Sequence, residues 1–95
     1  MEFEWNEEKA LSNFRKHGIS FKEAKTIFND PYALTIPDPR HSILEERWVD
    51  IGFSNQFRVV YVVYTERQNV THIIGSRLAT PKERKIYEQS KSRLL

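Results

Sequence analysis

Hydrophobic and polar positions change their period partway along this chain of 95 residues. Between 7 and 30 the apolar residues recur at helical spacing. Between 46 and 77, runs of valine, isoleucine and aromatic residues take over, separated by short polar clusters. At the start, Phe3-Glu4-Trp5 fits a short strand and Asn6 the N-cap of a first helix running to about His17. Glu7 and Glu8 complement the positive end of that helix, Lys16 and His17 its negative end, and Gly18 suits the left-handed residue that closes it. A second helix is predicted to follow at once. Ser20 and Glu23 form a capping box, Phe21, Ala24, Ile27 and Phe28 make one apolar face, and Asp30-Pro31 stops it.

Residues 32–36 fit a short strand. Pro37-Asp38-Pro39-Arg40-His41-Ser42 reads as a loop, because its prolines deny both helix and ladder. Three strands are predicted over about 46–53, 57–65 and 70–77, joined by turns at Ser54-Asn55-Gln56 and Glu66-Arg67-Gln68-Asn69. Thr80, Pro81 and Glu83 then supply the cap, first-turn proline and capping-box glutamate of a final helix. The expected class is α+β: one domain over 1–95 with two N-terminal helices, an antiparallel meander and a C-terminal helix.

Turns of those lengths pair Phe53 with Phe57 and Thr65 with Val70. Extending the registers puts Val49, Ile51, Val59, Tyr61, Val63, His72 and Ile74 on one apolar face, which is expected to pack against the helices. The other face carries Asp50, Gly52, Arg58, Val60, Val62, Tyr64 and Arg77, with Arg58 directly opposite Arg77. Like charges facing each other across a sheet need an anion between them. Asp50 is one candidate; a bound phosphate is the other, with Gly52 and Gly75 leaving room for it.

Charge sharpens this only locally. The formal net charge is +2, yet residues 77–93 hold six basic side chains against two acidic ones. The absence of cysteine excludes disulfides, thiolate metal sites and cysteine nucleophiles. His17, His41 and His72 lack metal-ligand spacing, no glycine-rich phosphate loop is present, and no cofactor is expected. With no apolar run of about 20 residues and no signal-peptide profile, a cytoplasmic protein without membrane contact is expected.

Clustered guanidinium groups suit an anion, and RNA phosphate is the first candidate. Metal-free RNA cleavage needs a base for the 2′-hydroxyl, cations for the pentacoordinate phosphorus and an acid for the departing 5′-oxygen. Arg58 and Arg77 are candidate cations, with Arg84 as a third. Glu46 or His41 is the candidate base, and His41 or Tyr87 the candidate acid. Arg67, Arg84 and Lys85 are candidates for positioning the RNA.

Several blocks resemble the BrnT toxin family. They include Phe3-Glu4-Trp5-Asn6, Lys16-His17-Gly18-Ile19-Ser20, His41-Ser42, Glu45-Glu46-Arg47-Trp48, Val63-Tyr64-Thr65-Glu66-Arg67, Gly75-Ser76-Arg77 and Glu83-Arg84-Lys85-Ile86-Tyr87. The resemblance runs from about Phe3 to Tyr87. It departs at Gly75-Ser76, where Ser-Ala is more usual, and at Gln56-Phe57, where small residues precede the arginine. It implies a type II toxin with a RelE-like ribonuclease fold that cuts RNA and stops translation. It also implies a ribbon-helix-helix antitoxin of the BrnA type, through which the complex would reach promoter DNA. The alternative expectation is a non-catalytic RNA- or antitoxin-binding module acting in promoter autoregulation.

Overall fold

Asparagine, serine and threonine side chains begin the three helices of the computed structural model, which describes residues 1–38 and 45–95. Asn6 accepts the Lys9 amide at 3.0 Å, Ser20 the Glu23 amide at 3.0 Å, and Thr80 the Glu83 amide at 3.1 Å. Each such cap is worth about 1 kcal/mol. The helices are α1 (Glu7–His17), α2 (Phe21–Thr26) and α3 (Pro81–Leu94). Gly18 closes α1 at φ 72°, as its position requires. Beyond α2 the chain tightens into a 3-10 turn, Ile27–Asn29, before Asp30 leaves helical geometry.

Five strands form one sheet: β1 (Glu2–Glu4), β2 (Leu34–Pro37), β3 (Trp48–Phe53), β4 (Val59–Arg67) and β5 (Val70–Leu78), in the order β1-β5-β4-β3-β2. The predicted three-strand meander is β3 to β5, and the short strand expected at 32–36 joins its edge as β2. The sheet as a whole is mixed rather than antiparallel, because β1 adds to the free edge of β5 in parallel, Phe3 beside Thr71. Pro37 ends edge strand β2, where a missing amide is harmless. The Pro39-Arg40-His41-Ser42 part of the predicted loop lies outside the described residues.

Both long hairpins pair differently from the expected registers, each for a reason in its turn. Between β3 and β4, the Ser54 amide bonds the Arg58 carbonyl at 2.8 Å, so the loop is 55–57 and Phe53 faces Val59 rather than Phe57. Phe57 sits at φ 62°, the left-handed residue of a three-residue hairpin. Between β4 and β5 the turn is only Gln68-Asn69, both at positive φ, so Arg67 faces Val70. The β5 register then shifts by one between Val63 and Tyr64: Tyr64 faces Ile73, Val63 faces Gly75, and Ile74 is the extra residue.

Central strand β4 is apolar on both sides, and both sides are covered. Val60, Val62, Tyr64 and Ile73 pack against Ile19, Phe21, Ala24 and Ile27, from α2 and the turns on either side of it. Val49 and Ile51 pack on Tyr87 of α3, with Val59, Tyr61 and Val63 half-buried around them. This corrects the expected faces. The side expected to be open for a ligand carries the main core, and the predicted core side is the one α3 covers only in part.

Candidate functional site

The bulge at Ile74 decides where the arginines go. The Gln68-Asn69 turn already slides Arg77 two residues from Arg58, and the bulge then moves it onto the face of Tyr61, its cross-strand partner. The Arg77 guanidinium lies 3.7 Å from the centroid of the Tyr61 ring. Glu83, from the first turn of α3, binds it bidentately: Nη1 donates to Oε1 at 2.7 Å and Nη2 to Oε2 at 3.0 Å. Glu83 Oε1 also accepts the Thr80 amide at 2.8 Å, so one carboxylate caps the helix and fixes the arginine. The Arg77 pairing holds the Glu83 carboxyl below its ordinary range and raises the guanidinium further.

Arg58 points to the other side of the sheet. Its Nε donates to Glu23 Oε2 at 3.0 Å, its Nη2 donates to Glu23 Oε1, and Nη2 also reaches the Gly18 carbonyl at 3.3 Å. Glu23 is 6% exposed and accepts the Ser54 hydroxyl at 2.7 Å as well. Burial pushes its carboxyl up, but the Arg58 and Ser54 bonds outweigh that and hold it low. The capping-box glutamate read from the sequence is thus the anion that seats Arg58. The expected Arg58–Arg77 phosphate clamp is absent. Asp50 serves neither arginine, accepting the Tyr64 hydroxyl at 2.7 Å instead. Nor does Gly52 leave room for a ligand: a β-carbon there would meet Ile27 and Ala33 at 3.1 Å.

Arg58 and Arg84 nevertheless border one cleft, although the Arg58 guanidinium is held by Glu23 on the other side of the sheet. The two line a cleft of about 390 Å³ between the β3–β4 turn and the start of α3, together with Phe53, Phe57, Leu78 and Glu88. Arg84 makes no ion pair or side-chain hydrogen bond among the described residues. Lys85, the next residue, is exposed on α3. Glu88, which the sequence did not single out, lies one turn after Arg84 and is the acid on this cleft.

The other expected residues stand elsewhere. Arg67 sits at the far end of β4, roughly 25 Å along the strand, with Nε and Nη2 on Glu45 at 2.7 and 2.9 Å. Glu46 is exposed just before β3, at that same end. Tyr87 is buried, its hydroxyl donated to Asp30 Oδ2. Burial and that carboxylate push its phenol well above the ordinary value. Asp30 also accepts the amides of Tyr32 at 2.9 Å and Phe53 at 2.8 Å, so one carboxylate ties α3 to β3. The sequence marked Asp30 only as a helix stop, although an Asx turn before Tyr32 fits that position. His41 lies outside the described residues. Among the described residues no group of three metal-binding side chains occurs, and no helix is long and apolar enough to cross a membrane.

Residues 5–83 match the family described as the ribonuclease toxin BrnT of type II toxin-antitoxin systems. The chain belongs to the BrnT family. The crystal structure of the Brucella abortus ribonuclease toxin BrnT superposes with a TM-score of 0.66, covering 84% of this chain and 97% of that one at 23% identity. A comparison with curated proteins returns no significant match. BrnT membership makes the class a ribonuclease toxin with an RNA target and an antitoxin partner, and the shared fold agrees with the α+β architecture described above.

Proposed function

We propose that this BrnT chain is a metal-independent endoribonuclease that arrests translation and growth, and that the cleft between Arg58 and Arg84 receives the scissile phosphate. The observation that carries this reading is that Arg58 and Arg84, from separate elements, both line one open cleft. Arg84 brings charge that no carboxylate neutralises among the described residues, and Arg58 brings a guanidinium held rigid by Glu23. Fixed donors of this kind stabilise charge that develops in the transition state.

In this reading the 2′-oxygen attacks phosphorus, its proton passes to a base, and the 5′-oxygen leaves with a proton, giving a 2′,3′-cyclic phosphate. Glu88 takes the role of base, since Glu46 stands at the opposite end of the hairpin. His41 keeps the expected role of acid. Tyr87 anchors α3 through Asp30, and would act as a proton donor only after leaving that carboxylate. Arg77 and Lys85 extend the positive surface beside the cleft, and Arg67 positions RNA at the far end. A RelE-like fold, a cytoplasmic setting and a ribbon-helix-helix antitoxin of the BrnA type, reaching promoter DNA on the toxin's behalf, complete the proposal.

The bidentate neutralisation of both Arg58 and Arg77 favours one rival, a non-catalytic RNA- or antitoxin-binding module. Purified chain incubated with RNA in chelator separates the two. Fragments ending in cyclic phosphate, lost in Arg84→Ala, support the enzyme; intact RNA bound in a salt-dependent manner supports the rival.

A further inference from the structure

The β3–β4 turn holds a large side chain where the backbone asks for none. Its left-handed position normally takes glycine, or asparagine at modest cost, and a bulky aromatic there is a conformational outlier. Phe57 occupies it at φ 62°. The ring gains little burial in return, being 81% exposed. Neither the core nor the turn accounts for it.

Its surroundings suit a ligand with both a flat apolar part and a negative charge. Phe53 is 42% exposed beside it, the ring centroids 6.1 Å apart and tilted by 56°. Leu78, 47% exposed, continues the apolar wall. Arg58 and Arg84 border the same cleft, with Glu88 the acid on its lining. Aromatic faces next to cations are how proteins hold unpaired nucleotides: each base stacks on a ring while its phosphate meets a guanidinium.

We infer that Phe57, with Phe53 as its wall, is a stacking platform for an unpaired RNA base adjoining the phosphate cleft. This deepens the ribonuclease reading and rests on it for the identity of the ligand. A duplex offers no free base face, so the platform selects single-stranded RNA. Because every base has a π-face, it does so with little sequence preference. Charge favours RNA over a protein partner at this spot, since Arg84, unpaired among the described residues, lines the same cleft as the aromatic wall.

The test uses the full chain with a labelled single-stranded oligoribonucleotide made uncleavable by 2′-O-methylation, a copy carrying abasic sites, and a duplex of equal length. Phe57→Gly suits the left-handed backbone, so this variant is expected to fold with an unchanged or higher Tm. It should bind the single strand roughly 10-fold more weakly and the duplex as before. Phe57→Trp should restore single-strand affinity. Abasic sites should weaken binding to the parent chain but not to Phe57→Gly. Equal single-strand affinity in the parent and Phe57→Gly overturns the platform. So does unchanged RNA affinity combined with lost antitoxin binding, which would mark the ring as a protein contact. RNA cleavage that survives unaltered in Phe57→Gly removes the platform and leaves the ribonuclease reading standing. Phe57-dependent binding with no cleavage by the parent does the reverse.

Discussion

Arg77 stacks on Tyr61 across the β4–β5 ladder while Glu83 grips it from α3, so three elements meet at one guanidinium. A cation over a tyrosine ring contributes about 0.5–2 kcal/mol depending on its exposure. Because Glu83 also caps α3, replacing it removes two stabilising contacts. Glu83→Gln should lower stability at neutral pH by about 1–2 kcal/mol in urea titration. The Glu83 carboxyl is held low in the folded state. Its contribution is therefore complete above the ordinary carboxylate pKa and is lost as pH falls through the lowered folded value. The difference between parent and variant should accordingly close in acid.

Arg58 and Glu23 allow structure and chemistry to be pulled apart. Arg58→Ala leaves a buried carboxylate with Ser54 as its remaining side-chain donor, and should cost about 2 kcal/mol as well as activity. Adding Glu23→Gln removes the stranded charge. The double variant should regain stability in denaturant titration without regaining RNA cleavage. Recovery of both would show that Arg58 acts only as a structural partner.

Glu88 is the base of the proposed reaction. Glu88→Gln keeps the shape of an exposed helical side chain, so Tm should stay within about a degree or two. Cleavage in single-turnover assays should fall by about 10²-fold or more. An unchanged rate would move the base role elsewhere.

Tyr87→Phe tests the anchor. Losing the hydroxyl should cost about 1 kcal/mol, while cleavage should fall less than 10-fold because the phenol is engaged by Asp30. A loss of several hundred-fold with Tm nearly intact would instead make the phenol a proton donor.

Asp50 carries a penalty rather than a contribution. Burial raises its carboxyl above the ordinary value of 3.8, despite the Tyr64 hydroxyl and a bond from Thr35. The folded state therefore binds the proton more tightly than the unfolded chain does. Above the raised value the ionised side chain destabilises the fold, and the penalty fades as pH falls toward 3.8. Asp50→Asn can keep the Tyr64 bond without the charge, and should raise Tm at neutral pH. Scans over pH should show the gain disappearing in acid.

Local signals carried a long way in this chain. The caps at Asn6, Ser20 and Thr80, the closing glycine at 18 and the β3–β5 meander all follow from residue chemistry within four positions, and all are present. What local reading missed were single-residue decisions about the backbone. A phenylalanine in a glycine conformation and a two-residue Gln68-Asn69 turn each moved a register by two, and the extra Ile74 reversed the face of Arg77. Alternation has a period of two, so one unseen bulge was enough to put a predicted arginine pair on opposite faces of the sheet. The Arg58–Arg84 cleft escaped for another reason: it joins a turn to a helix 26 positions later, and no periodicity reports such a contact.

The parallel pairing of β1 with β5 bears on when this toxin can exist at all. His72 meets Glu4 across 68 positions of sequence. The first strand therefore has no edge to join until nearly the whole sheet has been synthesised. Contacts of that span form late and slowly compared with helices or tight hairpins. A nascent chain released early would hold α1, α2 and β3 but could not close the sheet, and it would lack both α3 and the Arg84 side of the cleft. Such a fragment should be harmless to the cell making it, and an antitoxin is needed only once β5 and α3 have emerged.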